Sequence, residues 1–410
     1  MRPSSRWTSG LRSTRRWLSG VACGVLALGG IGVIFSSPAW APPFPIFPPL
    51  PPFPTFPTPP ITVGNTYVVN TTADLTGVGD CLHPVAGGLC GFRQAVDQYN
   101  LDRALSPFQF FIDRGDQITF STTVVNVQGA VQGGDPIYNI GPNGNVVFDN
   151  PDGVPVTVTG NGQGVTFIEG GGTAAGLAIE CFSLINFCAK ASESSVTLSD
   201  LTVADMSNGG GYASAIDNAS ELTINDSTVE DNTRGGITNE YGSGTFGLGG
   251  FGSEGGTGSS QLTINDSTVN DNTNDATQNS NGNGGGIDNE GSTVTINDST
   301  VNYNTATYGG GIYNAVYGHL FITDSAINYN TAGGDGGGIY NDGIAIGDPS
   351  STVEGNIAGG HGGGVYNQAF GGPVGVGGPP NPGGLFGGLF GPGPVVTGNV
   401  PDNVYKGPAP

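Results

Sequence analysis

The sequence predicts an all-β solenoid, a coil of short strands in which each repeat makes one turn, entered through one short helix. Three observations carry that expectation. The hexapeptide GGGIYN at 309 to 314 returns as GGGIYN at 336 to 341 and as GGGVYN at 362 to 367. A second unit reads LTINDSTVEDNT from 222, LTINDSTVNDNT from 262, VTINDSTVNYNT from 294 and LFITDSAINYNT from 320, with a weaker version, VTLSDLTVADMS, from 196. Between these β-rich runs the chain offers Gly, Asn and Asp rather than any helical period, and a repeat of this size without helices is the mark of stacked coils.

The elements follow in chain order. Residues 1–39 read as an export signal: Arg2, Arg6, Arg12, Arg15 and Arg16 precede an apolar run from Val21 to Phe35, followed by small residues at Ser37, Ala39 and Ala41. TRRWL at 14 to 18 resembles the twin-arginine export motif, and paired arginines before an apolar run are also common in general secretory signals. Cleavage after Ala39 fits better than after Ala41, because Pro42 would then adjoin the scissile bond. No later apolar stretch approaches the ~18 residues that a membrane span needs. Residues 40–61 contain PPFPIFPPLPPFPTFPTPP, which favours an extended polyproline tether.

From Thr62 the pattern alternates β-formers, and residues 62–115 are expected to form an N-terminal cap. Inside it GFRQAVDQYNLDRAL at 91 to 105 places Phe92, Ala95, Val96, Tyr99 and Leu105 near helical spacing, predicting a short amphipathic helix. Residues 116–403 form the coil itself, with a short tail at 404–410. Aligned on the second strand of the unit, Val203 to Val229, Val301 to Ile327 and Ile327 to Val353 are each 26 apart. Val229 to Val269 and Val269 to Val301 are 40 and 32, so loops are inserted into a fixed period. Gly-rich insertions at 241–260 and 368–394 both follow a Gly-Gly-x-Ile/Val-x-Asn strand and belong to one edge.

If equivalent positions stack ~4.8 Å apart, Ile312, Ile339 and Val365 fall above one another inside the coil. Asn272, Asn304, Asn330 and Asn356 then make one side-chain ladder, and Asn289, Asn314, Asn341 and Asn367 a second. The four cysteines beyond Cys23 form two close pairs. In an exported chain they suggest disulfides Cys81 to Cys90 and Cys181 to Cys188, and their spacings are not those of a zinc site.

These repeats resemble those of the polymorphic outer membrane proteins, which pair a Gly-Gly-Ala/Gly-Ile element with a later Asn-bearing one, within the pectate-lyase-like group. TYVVNTTADLTGVGDC followed by CGFRQAV resembles the start of exported bacterial β-helix proteins whose Cys-Ser-Leu-Arg-Glu-Ala-Ile motif opens a capping helix. Cys90, Arg93, Ala95 and Val96 keep that pattern, whereas Gly91, Phe92 and Gln94 depart from it. TGNVPDN at 397 to 403 is similar to the closing element of the same proteins. The resemblance implies a right-handed parallel β-helix. It says little of activity, since that fold hosts lyases, hydrolases and adhesins alike.

Charge narrows the partners. The net charge is −22, and five of the 11 basic residues lie within 1–39, which holds no acid; the remainder carries 33 acids against six bases, about −27. That argues against nucleic acid as a partner. An extracellular polysaccharide or a host or surface protein is the expected partner, with no transmembrane segment in the mature chain.

Candidate chemistry is sparse. A lyase needs acids to hold Ca²⁺ and a base to take a proton, and only Arg234 in the repeats sits near acids, Glu230, Asp231 and Glu240. Gly360-His361-Gly362 looks like a polygalacturonase element, but no Asp-Asp pair accompanies it, so His361 reads as a turn residue. Asp226, Asp266, Asp298 and Asp324 share one repeat position and should line one edge, either bonding their own turns or forming a row of calcium sites. Calcium is the one cofactor the pattern allows. Glu290, Tyr317, His319 and Asp342 are the expected floor of a shallow trough between the two Gly-rich insertions, a groove for a glycan or peptide. Tyr313, Tyr340 and Tyr366 share an outward face, either as a sugar platform or as cross-strand packing. The expectation is a non-catalytic, adhesin-like or matrix-interaction scaffold, with a polysaccharide lyase or hydrolase as the alternative.

Overall fold

Each repeat spends its apolar residues at every second position, so a strand that turns them inward leaves Thr, Asn and Asp outside. In the computed structural model this makes one coil. It describes residues 64–77, 79, 81–82, 88–105, 115–125, 131–132, 135–149, 155–172, 176–180, 195–207, 214–241, 260–274, 282–368, 374–375 and 394–406. One coil runs through Thr293–Asn297, turns at Asp298 and Ser299 into Thr300–Asn302, passes Thr305–Ala306 and reaches Ile312–Asn314 before the next begins at His319–Thr323. Val294, Ile296, Val301 and Ile312 point inward and are fully buried.

Stacking the coils gives, among the described residues, two ten-stranded sheets, one of nine strands and one of four. The first sheet holds Thr293–Asn297, the second Thr300–Asn302, the third Ile312–Asn314, and the fourth, a narrow strip between the second and third, Thr305–Ala306. Pairing is parallel and in register, as in Val294 with Leu320 and Ile312 with Ile339. The exception is Val131–Gln132, which pairs antiparallel with Asp135–Asn139. The chain is a right-handed parallel β-helix. The narrow fourth sheet forms where Thr-Ala after the corner Asn pairs with its copies in the neighbouring rungs, Thr305 with Thr331 and Ala306 with Ala332.

Both Asn ladders form inside the coil. Asn232 donates to Asn272 at 2.8 Å, Asn272 to Asn304 at 2.9 Å, and Asn304 to Asn330 and Asn330 to Asn356 at 3.0 Å. Asn218, Asn239, Asn289, Asn314, Asn341 and Asn367 form the second, with donor distances of 2.7 to 3.0 Å. Because each amide also donates to a backbone carbonyl, as Asn304 does to Val269 at 2.9 Å, the bends need no water to satisfy their polar groups. The triple glycine has a steric cause. Gly309 has φ 61°, and a Cβ on Gly310 would lie 2.5 Å from the carbonyl oxygens of Thr331 and Gly337.

At the N-terminal end the helix Phe92–Leu105 closes the coil, burying Phe92, Ala95, Val96 and Tyr99. Phe92 stacks on Phe120 at 5.8 Å, and Cys81 and Cys90 form the expected disulfide. Arg93 explains its place in the motif. It pairs with Asp74 at 2.8 Å and donates to the carbonyls of Ile140, Gly144 and Asn145 at 2.8, 2.6 and 2.6 Å, joining the helix to the first coils. The helix, the strands and these contacts belong to the unit 59–410; the other compact unit, 1–58, lies outside the described residues. The export signal, the Pro-rich tether, Cys181 and Cys188, and almost all of the two Gly-rich insertions also lie outside them. Among the described residues no helix is long and apolar enough to cross a membrane.

Candidate functional site

Register turns each repeat column into a row of side chains along the axis, so the candidate residues sort by row. Asp226, Asp266, Asp298 and Asp324 do line one exposed edge, the corner between the first and second sheets, with φ of 46°, 48°, 49° and 49°. Asp is among the few side chains that tolerate this left-handed backbone. None of the four carboxylates accepts a hydrogen bond among the described residues. The corner is satisfied by the next residue instead: the N–H groups of Ser227, Ser267 and Ser299 donate to the Oγ of Ser267, Ser299 and Ser325 at 3.0, 3.0 and 3.1 Å. No three His, Cys, Asp or Glu side chains among the described residues converge as a metal site would require.

Glu230 and Asp231 enter an open cleft of about 430 Å³ on the second sheet, lined also by Ile137, Phe167, Glu169, Ala204 and Asp205. Register builds it: Glu169, Ala204 and Glu230 are successive copies of one outward position. Asp205 and Asp231 hold the following corner, with φ of 50° and 55°. Burial raises the Glu169 carboxyl, helped by Asp205. Burial also raises Glu230, against a hydrogen bond from Asn270 and with the charges of Asp231 and Asp271. Asp231 is raised by burial and by Asp271 and Asp205. Such a cleft holds protons more tightly than free carboxylates do and gathers several carboxyl groups in one place.

Of the four residues expected to act together, Glu230 and Asp231 line the cleft. Glu240 sits in the turn after the third sheet, where burial and then Glu290 and Glu180 raise it. Arg234 follows the Asn232 bend. Glu169 and Asp205, which complete the cleft, were not candidates on sequence; they lie in less regular repeats, and only the register connects them with Glu230.

On the outer side of the third sheet, Asp217, Thr238, Asp288, Tyr313, Tyr340 and Tyr366 form one row. The Tyr313 and Tyr340 rings stack at 4.9 Å and those of Tyr340 and Tyr366 at 4.8 Å, while Tyr405 continues the stack at 5.4 Å. His361 lies flat on Tyr405 at 4.1 Å, which gives that turn residue a packing role. Rings stacked in this way cover one another's faces and turn edges and hydroxyls outward. The row packs across the strands. The Tyr313 hydroxyl is pushed up to about 12 by burial and by Asp342, Asp288 and Glu290. Asp288 is itself buried, its Oδ1 has no hydrogen-bond partner, and burial followed by Glu290 and Asp217 raises it well above the usual range.

The expected trough floor maps to the turn that joins the third sheet to the first. Glu290 and Asp342 follow Asn289 and Asn341 directly, Tyr317 is 81% exposed in the intervening rung, and His319 opens a first-sheet strand. Gln368, with its amide nitrogen toward Asp342, donates to that carboxylate at 2.5 Å and to the Tyr340 hydroxyl at 2.6 Å. Compared with known protein families, curated proteins and solved structures, the chain matches none. The rows themselves are thus the basis for a functional reading.

Proposed function

We propose that this chain is an exported, non-catalytic binding scaffold of the cell surface or the extracellular space, adhesin-like in that long rows of identical side chains face outward. One observation carries the reading: among the described residues, the charged neighbours that raise the acids of the cleft are Asp205, Asp231 and Asp271. A lyase needs a base poised at the α-carbon of its substrate. The resemblance of the repeats to those of polymorphic outer membrane proteins and the arginine-rich, apolar N-terminus agree with display outside the cell. Export predicts a mature N-terminus at Trp40, which sequencing of the exported protein reads directly. Calcium enters only as a screening cation on the row Asp226, Asp266, Asp298 and Asp324, a role measured by a calcium titration of the melting temperature.

The cleft favours a second reading, a glycoside hydrolase. Glu169 and Glu230 stand two rungs apart across Ala204, roughly 10 Å by rung spacing. That is near the upper end of the separation that lets a water enter between two carboxyls. One assay separates the readings. The purified chain is incubated with neutral and acidic polysaccharides, with and without Ca²⁺, and both retention on the polymer and release of new chain ends are scored. Retention without new ends supports the scaffold. New ends that disappear on Glu230→Gln establish the hydrolase in its place.

A further inference from the structure

The repeat supplies its own control for one surface feature. At the corner after the second sheet, the left-handed residue is Asp205, Asp231 and Asp271 in earlier rungs and Gly355 and Gly398 in later ones. In the two rungs between them it is Tyr303 and Tyr329, with φ of 56° and 55°. Gly and Asp adopt this backbone readily, whereas a bulky aromatic does so at a cost on the order of 1 kcal/mol or more. Burial does not repay it, because the two side chains are 53% and 50% exposed.

What the substitution creates is an aromatic step. The two rings stack at 5.4 Å, 12° from parallel. The second face of Tyr329 lies over Gly355, where a Cβ would come 2.5 Å from the ring. The second face of Tyr303 looks along the axis toward the Asp271 rung, where the corner side chain is too short to cover it. Here the stack ends open on the Asp271 side, whereas His361 covers the Tyr405 end of the third-sheet stack. Beside it the Asn302 Oδ1 is buried with no hydrogen-bond partner, and Asn270 donates to Asp271 at 2.8 Å. From Thr300 to Thr307 and from Ala326 to Gly333 there is no charged residue.

We infer that the Tyr303–Tyr329 corner binds a neutral sugar chain, with one pyranose continuing the tyrosine stack in the open place beside Asp271. The apolar C–H face of a pyranose fits an uncovered ring, and its hydroxyls suit the carboxylate of Asp271 and the amides of Asn270 and Asn302. A net charge of −22 disfavours polyuronates and sulfated chains. This rests on the binding-scaffold reading and names its ligand class and its place.

The test uses the full chain and the double variant Tyr303→Gly/Tyr329→Gly. Glycine already holds the same corner at Gly355, so the variant keeps the fold and its melting temperature does not fall. Affinity electrophoresis through soluble neutral glucan, mannan and xylan, with polygalacturonate alongside, reads retention. The expected result is retention of the native chain on at least one neutral polymer, weakened ten-fold or more in the variant, with Tyr340→Phe behaving as native. Equal retention of native and variant overturns the site while leaving the scaffold reading in place. Retention on polygalacturonate alone overturns the ligand class. If no polymer is retained and sedimentation shows self-association that the variant loses, the corner is a contact between copies and the inference fails.

Discussion

The rungs up to Asn289 and those from Thr293 onward share one backbone lattice and differ in what they put outside. At the corner after the second sheet, Asp205, Asp231 and Asp271 give way to Tyr303 and Tyr329. On the third sheet, Asp217 and Asp288 give way to Tyr313, Tyr340 and Tyr366. On the second sheet, Glu169 and Glu230 give way one rung earlier, to Asn270, Asn302 and Asn328, before an acid returns at Glu354. Inside, nothing changes: Val203, Val229, Val269, Val301 and Ile327 continue one buried row across the boundary. The coil is thus specified by its interior and by the backbone its corners demand. The outward columns are free to hold charge in one half and rings in the other.

The largest effect should come from breaking what the halves share. Asn304→Ala removes an amide that donates to Val269 and Asn330 and accepts from the backbone N–H and the side chain of Asn272. Leaving several buried groups unpaired at about 1–3 kcal/mol each should cost roughly 3–5 kcal/mol, read in urea unfolding. As each rung contacts only its neighbours, the variant should also unfold in two steps where the native chain unfolds in one. A single unchanged transition would mean that the ladder does not couple the halves. Next, Arg93→Ala should cost about 3–5 kcal/mol, because a buried ion pair is broken and Asp74 is stranded. Hydrogen exchange should show the loss confined to the acidic half, next to the cap.

The lattice was legible in the sequence because each column repeats with a fixed period, and identical residues at that period can satisfy one another only by stacking. Both Asn ladders and the edge of Asp226, Asp266, Asp298 and Asp324 were visible on that ground, the capping helix through its helical spacing, and Cys81 with Cys90 as a close pair in an exported chain. The serine row at Ser227, Ser267, Ser299 and Ser325 was not, since Ser beside Asp reads as an ordinary turn. The acidic cleft was half legible. Glu230 and Asp231 stand out beside Arg234, but sequence nearness did not suggest Glu169 and Asp205, because neighbours in a coil are one rung away rather than a few residues away. Tyr303 and Tyr329 did carry a signal. A column that reads Asp, Asp, Asp, Tyr, Tyr, Gly marks a left-handed corner, and the tyrosines in it are out of place.

Charge in the first half makes its stability depend on pH. Glu169, Glu230, Asp231 and Glu240 are raised in the folded chain above the ordinary 4.5 and 3.8, in each case mainly by burial. The folded state then holds more protons than the unfolded one between the ordinary and the raised values, so stability falls as pH rises through that window. Acidification from pH 7 toward about 4.5 should therefore stabilise the acidic half. Asp231→Asn should raise stability by about 0.5–1 kcal/mol at pH 7 and reduce the slope of stability against pH; the residue is exposed, which keeps the effect small. A slope left unchanged by Asp231→Asn would remove the cleft as its source.

A modest effect belongs to the tyrosine half, and it is the sharpest test of the comparison. Tyr366→Thr places at one rung the residue that Thr238 supplies to the same column in the acidic half. The variant loses ring contacts with Tyr340 at 4.8 Å and Tyr405 at 5.4 Å. Aromatic pairs contribute about 0.5–1.5 kcal/mol each beyond the area they bury, and a threonine fits the same strand without strain. If outward columns are interchangeable, the loss should stay near 1–2 kcal/mol, with one unfolding transition and no change in the pH slope set by the acidic half. A loss as large as that of Asn304→Ala would mean that the tyrosine stack, like the asparagine ladder, is part of what specifies the coil. The two halves would then differ in how they are held together as well as in what they display.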